Sequence, residues 1–329
     1  MSSGAALSIK SYKIFMKRIP LSLLLGLSFL SSCMSVRSEQ GSSVETPDFT
    51  VQATGTPLIL VPTTLPVPTM TLIPCEPTAE DFCIVDGNFI FQNPLGPDSA
   101  AMIARSYPYG STDEGRRDPH HGVDIESKEG ASVFASAAGE VIFAGPDREQ
   151  AYASWKNYYG NVVVVRHADG LYTLYGHLSQ IYVSEGGRVK GGDLIAAVGH
   201  TGVALGSHLH FEVRSGGDGQ DYYSTENPEL WLTLQDGMGA LSITLDMNKS
   251  RKVQRNLVVW RYFSDTNTPQ EIYYASTYPK GFEQNKEDCV LSNLPPGRYR
   301  IAFTDSMGLH ERVVNVEAGK LTQLIFDEN

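Results

Sequence analysis

Seven of the chain's eight histidines fall between His120 and His210. They cluster in His120-His121-Gly122-Val123-Asp124, Tyr175-Gly176-His177-Leu178 and Ser207-His208-Leu209-His210-Phe211-Glu212. Imidazoles and a carboxylate are the groups that bind zinc and move protons, so this concentration predicts a hydrolytic metal site. On a strand, residues two apart share a face, so His208 and His210 enter one space together. Positions four apart share a face in extended and helical backbone alike, which lets His120 and Asp124 converge. Pro119 and Gly122 disfavour helix there, and Gly122 lets the backbone pass close to a metal. His120, Asp124 and one histidine of the later pair would give three protein ligands. The fourth tetrahedral position would then be left to water, the arrangement of a catalytic zinc rather than a structural one.

The order and spacing of these motifs, with Gly199-His200-Thr201-Gly202 between the second and third, resembles the LytM/lysostaphin-type zinc metallopeptidase family. The likeness runs from about Tyr107 to Leu232 and takes in Gly160-Asn161-Val162-Val163-Val164 and Asn227-Pro228. Residue by residue, it implies that His120, Asp124 and His210 hold one zinc ion. It also implies that His177 and His208 are unligated catalytic imidazoles. Zinc brings the pKa of a coordinated water to about 7 and polarises a carbonyl, while the imidazoles stabilise the oxyanion and move protons. Glu212 shares the strand face of His208 and His210, where an acceptor for a ligand's second nitrogen and a surface ion pair are equal readings. His121, His167 and His200 are read as surface or structural, and His310 as solvated. The substrate implied is peptidoglycan, in its stem peptides or cross-bridges. Two alternatives stand beside hydrolysis of the wall: a zinc-holding activator or binding module for another wall hydrolase, and a peptidase of secreted proteins. Specificity is expected in the loops Tyr107–Arg117 and Asp147–Asn157, with Tyr152, Trp155, Tyr158 and Tyr159 either lining a groove or packing.

Short strands broken by glycine must position these residues. Gly139–Ala144, Asn161–Val165, Leu171–Tyr175, Leu194–Val198 and His208–Val213 carry strand patterns, with a hairpin turn at Ala168-Asp169-Gly170. No long stretch has helical periodicity. After about Gly239, six candidate strands follow: Leu241–Leu245, Leu257–Phe263, Ile272–Ser276, Arg298–Phe303, Arg312–Val316 and Leu321–Phe326. In the fourth, Tyr299, Ile301 and Phe303 share one face. The fold expected is mainly β: an antiparallel metallopeptidase domain over 81–235 and a small β-sandwich over 239–329. The latter resembles carboxypeptidase-regulatory and PEGA-like accessory domains.

Residues 1–32 hold Lys17-Arg18 and an apolar run from Ile19 to Leu30, and they lead into Leu30-Ser31-Ser32-Cys33, the pattern of a secretory signal too short to span a membrane. Its ending resembles the bacterial lipobox, which implies cleavage before Cys33, lipidation of its sulfur and an exported chain anchored to a membrane of the cell envelope. Ser, Thr and Pro dominate Met34 to Thr78, so residues 33–80 are read as an extended tether. A net charge of −11 argues against nucleic acid as a partner. Cys75 and Cys83 suit a local disulfide in an exported chain, which leaves Cys289 buried and alone or paired with one of them.

Overall fold

The computed structural model describes residues 82–96, 102–148, 152–246, 254–263, 266–279, 281–282 and 285–327, all within one compact unit. The signal, Cys33, the tether and Cys75 lie outside the described residues. Cys83 is disulfide-bonded, whereas Cys289 is a free, buried thiol, so the pairing through Cys289 does not occur.

The described residues are almost entirely strand, with short 3-10 turns at Ala168–Gly170 and Pro228–Leu230. A seven-stranded antiparallel sheet runs in the order Thr225–Glu226, His208–Ser215, Leu171–Gly176, Asn161–Arg166, Gly139–Pro146 and Arg188–Val189. Val123–Glu126 also pairs with His208–Ser215. A three-stranded sheet of Ser132–Phe134, Leu194–Ala197 and Gln180–Ile181 lies beside it in sequence. The hairpin after Arg166 turns where expected, with Asp169 and Gly170 both at positive φ, as a tight hairpin twist requires.

The β-branched run Val162–Val165 is buried on both sides. Val163 and Val165 join Leu209, Phe211 and Val213 in one apolar core. Val162 and Val164 join Tyr152, Tyr159, Tyr172 and Leu174 in a second. The sheet therefore has no solvated face at its centre, and side chains there alternate between two interiors.

Two four-stranded sheets follow. One orders Phe82–Asp86, Lys320–Asp327, Gly239–Asp246 and Cys289–Leu294; the other orders Pro269–Ser276, Asn256–Tyr262, Gly297–Asp305 and Gly308–Val316. Leu241, Ile243, Val259, Tyr299, Ile301 and Phe326 interdigitate between them, the core of a β-sandwich. All six expected strands form here, and the structure adds two. Cys289–Leu294 has five of its six residues buried and lacks the alternation that marks a half-exposed strand. Phe82–Asp86 pairs with Lys320–Asp327, so the sheets do not divide at residue 81. Gly239–Asp246 runs parallel to Lys320–Asp327, an exception to the antiparallel rule of the chain.

Polar as well as apolar contacts join the sandwich to the rest of the unit. The buried Glu229 carboxylate accepts from Arg105 at 2.7 Å, from the Ser292 backbone N–H at 2.7 Å and from the Ser292 hydroxyl at 2.7 Å. Arg105 also donates to the Ser292 carbonyl at 2.8 Å.

Candidate metal centre

Asp124 and His210 stand directly opposite each other in the antiparallel pair between Val123–Glu126 and His208–Ser215. Cross-strand neighbours place their side chains a few ångströms apart on one face. His120 reaches the same point from the loop before Val123. Its Nε2 lies 3.1 Å from Asp124 Oδ1 and 3.1 Å from His210 Nδ1, and His210 Nδ1 lies 3.0 Å from Asp124 Oδ1. Three donor atoms thus form a near-equilateral triangle. Its edges sit slightly inside the separation of about 3.3 Å that ligand bonds of about 2.0–2.1 Å to a tetrahedral zinc give. Two imidazole nitrogens and a carboxylate oxygen at these separations form a site able to hold a metal.

Each imidazole in this trio has its other nitrogen tied down. His120 Nδ1 donates to the Tyr107 carbonyl at 2.8 Å, and the Tyr107 ring stacks on His120 at 4.2 Å between centroids. His210 Nε2 donates to Glu212 Oε1 at 3.0 Å. These bonds fix which nitrogen faces the site and which tautomer a neutral ring adopts. Glu212 is therefore the buried acceptor and not a surface ion pair. It also accepts from the Tyr159 hydroxyl and from Arg214 Nε at 2.7 Å. Arg214 is fully buried and spends its remaining donors on the Gly219 carbonyl, the Tyr152 carbonyl and the Tyr159 oxygen.

His177 and His208 face the same space. His208 Nε2 lies 3.5 Å from Asp124 Oδ1, and the His177 and His208 rings meet edge to face at 4.9 Å. His177 Nδ1 donates to the Thr201 carbonyl at 2.8 Å, and His208 Nδ1 donates to the Gly206 carbonyl at 2.9 Å. His177 sits one residue past Gly176, which pairs with His210. A continued strand would turn His177 to the opposite face; its φ of 59° instead brings the ring back beside His210. Such a left-handed non-glycine residue stores strain that the surrounding bonds must hold.

Burial dominates the electrostatics. It pushes His177 down to about 3, with His210 and His208 lowering it further. Burial also lowers His208, although Asp124 opposes it. Burial works against ionising Asp124, but His120 and His210 outweigh it and hold the carboxyl far below its ordinary range. Burial likewise disfavours a charged His210, yet hydrogen bonds to Asp124 and Glu212 raise it to about 9. Glu212 is driven down to about 2 because Arg214 and His210 overcome the cost of burial.

The trio opens into a cleft of about 1090 Å³ lined in part by Arg116, Arg117, Trp155, Tyr158, Val203 and Leu205. Both loops expected to shape it contribute, but Tyr152 and Tyr159 pack in the core instead, and the Val203–Ser207 segment joins unannounced. His121 is buried between Tyr222 and Phe282 and bonds Thr225, outside the trio. His167 bridges the Ala138 carbonyl and Thr173, and His200 pairs with Glu129 at the surface. His310 stacks on Phe303 and bonds Asp305, so it is anchored rather than merely solvated. Gly122 packs against strand backbone: a Cβ there would lie 2.6 Å from the Phe211 carbonyl and 2.8 Å from His210 Nε2.

Arg214, the bond from the Tyr159 hydroxyl to Glu212 and the Tyr107 carbonyl were not foreseen. One signal for the first was present: His208, His210, Glu212 and Arg214 alternate with Leu209, Phe211 and Val213, which marks a polar face along the whole strand.

Residues 118–222 match Peptidase family M23. The chain is 41% identical over 117 residues to a protein of Neisseria meningitidis serogroup B named DD-carboxypeptidase/endopeptidase Mpg, covering 36% of this chain and 25% of that one. It is 41% identical over 99 residues to Peptidoglycan DD-endopeptidase ShyB of Vibrio cholerae, covering 30% of this chain and 21% of that one. The chain thus spans about a quarter of the length of these curated relatives. Among solved structures, the catalytic domain of lysostaphin from Staphylococcus simulans is 29% identical with a TM-score of 0.33, covering 39% of this chain and 89% of that one. His120, Asp124, His177, His208 and His210 all fall inside the segment that matches Peptidase family M23.

Proposed function

We propose that this chain is a zinc-dependent endopeptidase that hydrolyses peptide bonds in peptidoglycan stem peptides or cross-bridges. The observation that carries the reading is the convergence of His120 Nε2, Asp124 Oδ1 and His210 Nδ1 beside two further imidazoles whose outer nitrogens are already committed. The names of the two curated relatives support the same substrate class.

In this reading His120, Asp124 and His210 hold one zinc ion, which supplies an activated water and Lewis acidity at the scissile carbonyl. His177 and His208 do the rest. Each spends its Nδ1 proton on a backbone carbonyl, so in the neutral ring Nε2 is an acceptor directed at the cleft. Such a ring takes a proton from the attacking water and returns it to the departing amine. Once protonated, it donates to the oxyanion that develops at the carbonyl. Burial favours the neutral form in both rings, so both are ready to accept at neutral pH. The reading includes residues 1–32 as an export signal and Cys33 as a lipid anchor. A tether over 33–80 would carry the metallopeptidase domain and the sandwich at the cell envelope.

The test is incubation of the chain from Met34 onward with purified peptidoglycan, with and without a zinc chelator, and identification of the products by mass. Chelator-sensitive loss of cross-linked fragments is expected, and the new amine names the bond. Intact wall from protein shown to carry zinc would overturn the proposal in favour of an activator module or a peptidase of secreted proteins.

A further inference from the structure

The loop bearing His120 leans on residues of the C-terminal sandwich. Three backbone groups fix His120. Its Nδ1 donates to the Tyr107 carbonyl, its backbone N–H donates to the Ser111 carbonyl at 2.9 Å, and its carbonyl accepts from the Gly110 N–H at 2.8 Å. His120 is therefore placed by the segment Tyr107–Ser111.

That segment rests on Tyr278 and Phe282, which lie between the sandwich strands Pro269–Ser276 and Cys289–Leu294. Both rings are buried, and both join the apolar core of the seven-stranded sheet rather than that of the sandwich. The Tyr109 ring stands edge-on to Tyr278 at 5.1 Å and to Phe282 at 5.1 Å. Gly110 lies flat against Tyr278: a Cβ on it would come within 2.7 Å of the Tyr278 ring. Phe282 also stacks on His121 at 5.0 Å, one residue from the ligand. Polar bonds lock the contact. The Tyr278 hydroxyl accepts from Asn227 Nδ2 at 2.8 Å and donates to Glu287 at 3.1 Å. Asn285 Nδ2 donates to the Tyr109 hydroxyl at 3.2 Å, and that hydroxyl donates to the Thr225 carbonyl at 2.8 Å.

We infer that Tyr278 and Phe282 are positioning residues for the metal centre, so the sandwich is part of the machinery that builds the site and not only an appendage that could bind substrate. The inference rests on the reading of His120, Asp124 and His210 as metal ligands. The physical link is rigidity: packed aromatic rings hold Tyr109 and Gly110, and these hold both sides of the His120 peptide. Loosening the rings frees His120 to move relative to Asp124 and His210, whose separation is fixed by strand pairing. Metal affinity falls because the freed ligand must be ordered again on binding.

The experiment measures zinc affinity of the full chain by chelator competition, and the visible spectrum of the cobalt-substituted protein as a report of ligand geometry. Tyr278→Ala and Phe282→Leu are expected to weaken zinc binding by about 10-fold or more and to change the cobalt bands. Tyr278→Phe keeps the ring against Gly110 and should stay within about 3-fold of wild type, well short of the loss that removing the ring causes. Val259→Ala, in the sandwich core and away from this contact, lowers the melting temperature without moving either metal readout. Wild-type affinity in both Tyr278→Ala and Phe282→Leu would overturn the inference, as would an equal loss of affinity in Val259→Ala. Failure of the wild-type chain to take up zinc would overturn the metal reading itself, and the inference with it.

Discussion

Glu212→Gln removes one oxygen and one charge from the centre of the polar face, and the surrounding donors make its cost calculable. Oε1 of Glu212 accepts from His210 and Tyr159, and Oε2 accepts from Arg214. A glutamine has one acceptor oxygen. Either rotamer of its amide sets an NH2 group against a donor: Arg214 in one case, His210 and Tyr159 in the other. Arg214 also loses its counter-charge while both side chains have no solvent exposure. Breaking a buried pair from one side costs about 3–5 kcal/mol, which for a unit of this size lowers the melting temperature by roughly 6–20 °C. The carboxylate also raises the basicity of His210 as a ligand, so zinc affinity should fall about 10–100-fold. Denaturant titration of the metal-free protein gives the stability term without the contribution of bound metal. Competition with a chelator gives the affinity. In Glu212→Gln/Arg214→Met the stranded cation is gone, so the double variant should recover at least about 2 kcal/mol relative to the sum of the single changes. Zinc binding should stay weak in that double variant, because no carboxylate returns to His210. A Glu212→Gln protein that melts within about 1 °C of wild type and binds zinc as tightly would refute the reasoning.

Three further outcomes follow from the same geometry. His177→Ala and His208→Ala should each retain one zinc per chain by elemental analysis while losing about 10²–10⁴-fold in turnover of peptidoglycan fragments, since proton transfer is removed and the ligand trio is kept. Gly122→Ala pushes a methyl into the Phe211 carbonyl and His210 Nε2; thermal melting and zinc titration should show a loss of about 1–3 kcal/mol together with weakened metal binding. His167 is lowered by burial, which the Ala138 carbonyl only partly offsets, so the folded chain prefers the neutral ring. That preference contributes stability above the unfolded-state value of about 6.5 and is lost as pH falls through the folded value. Wild type should therefore lose melting temperature relative to His167→Gln as pH drops below about 6.5, and parallel pH profiles would exclude the ring as the cause.

The sequence alone carried the candidate ligand chemistry, in part through residue type and the periods the backbone imposes and in part through the family resemblance of its motifs. His208 and His210 two apart on a strand, the double-sided Val162–Val165 run and the shared face of Tyr299, Ile301 and Phe303 are local consequences of the pleat. Cross-strand register lies beyond that reach. Nothing within Val123–Asp124 states that Asp124 will stand opposite His210 rather than one residue away, and a slip of one would turn the carboxylate into the apolar core. The hydrogen bonds that select tautomers come from carbonyls of Tyr107, Thr201 and Gly206, which every residue possesses and no side-chain pattern can mark. Glu212 read equally as a buried acceptor and as a surface pair, because its strand is enclosed and Tyr159 reaches it only after a separate segment packs on that face. The placement of Tyr278 and Phe282 in the core of the neighbouring sheet belongs to the same class. Loop aromatics here range from exposed Trp155 and Tyr223 to buried Tyr278 and Phe282, and which core receives the buried ones is decided by how the sheets meet.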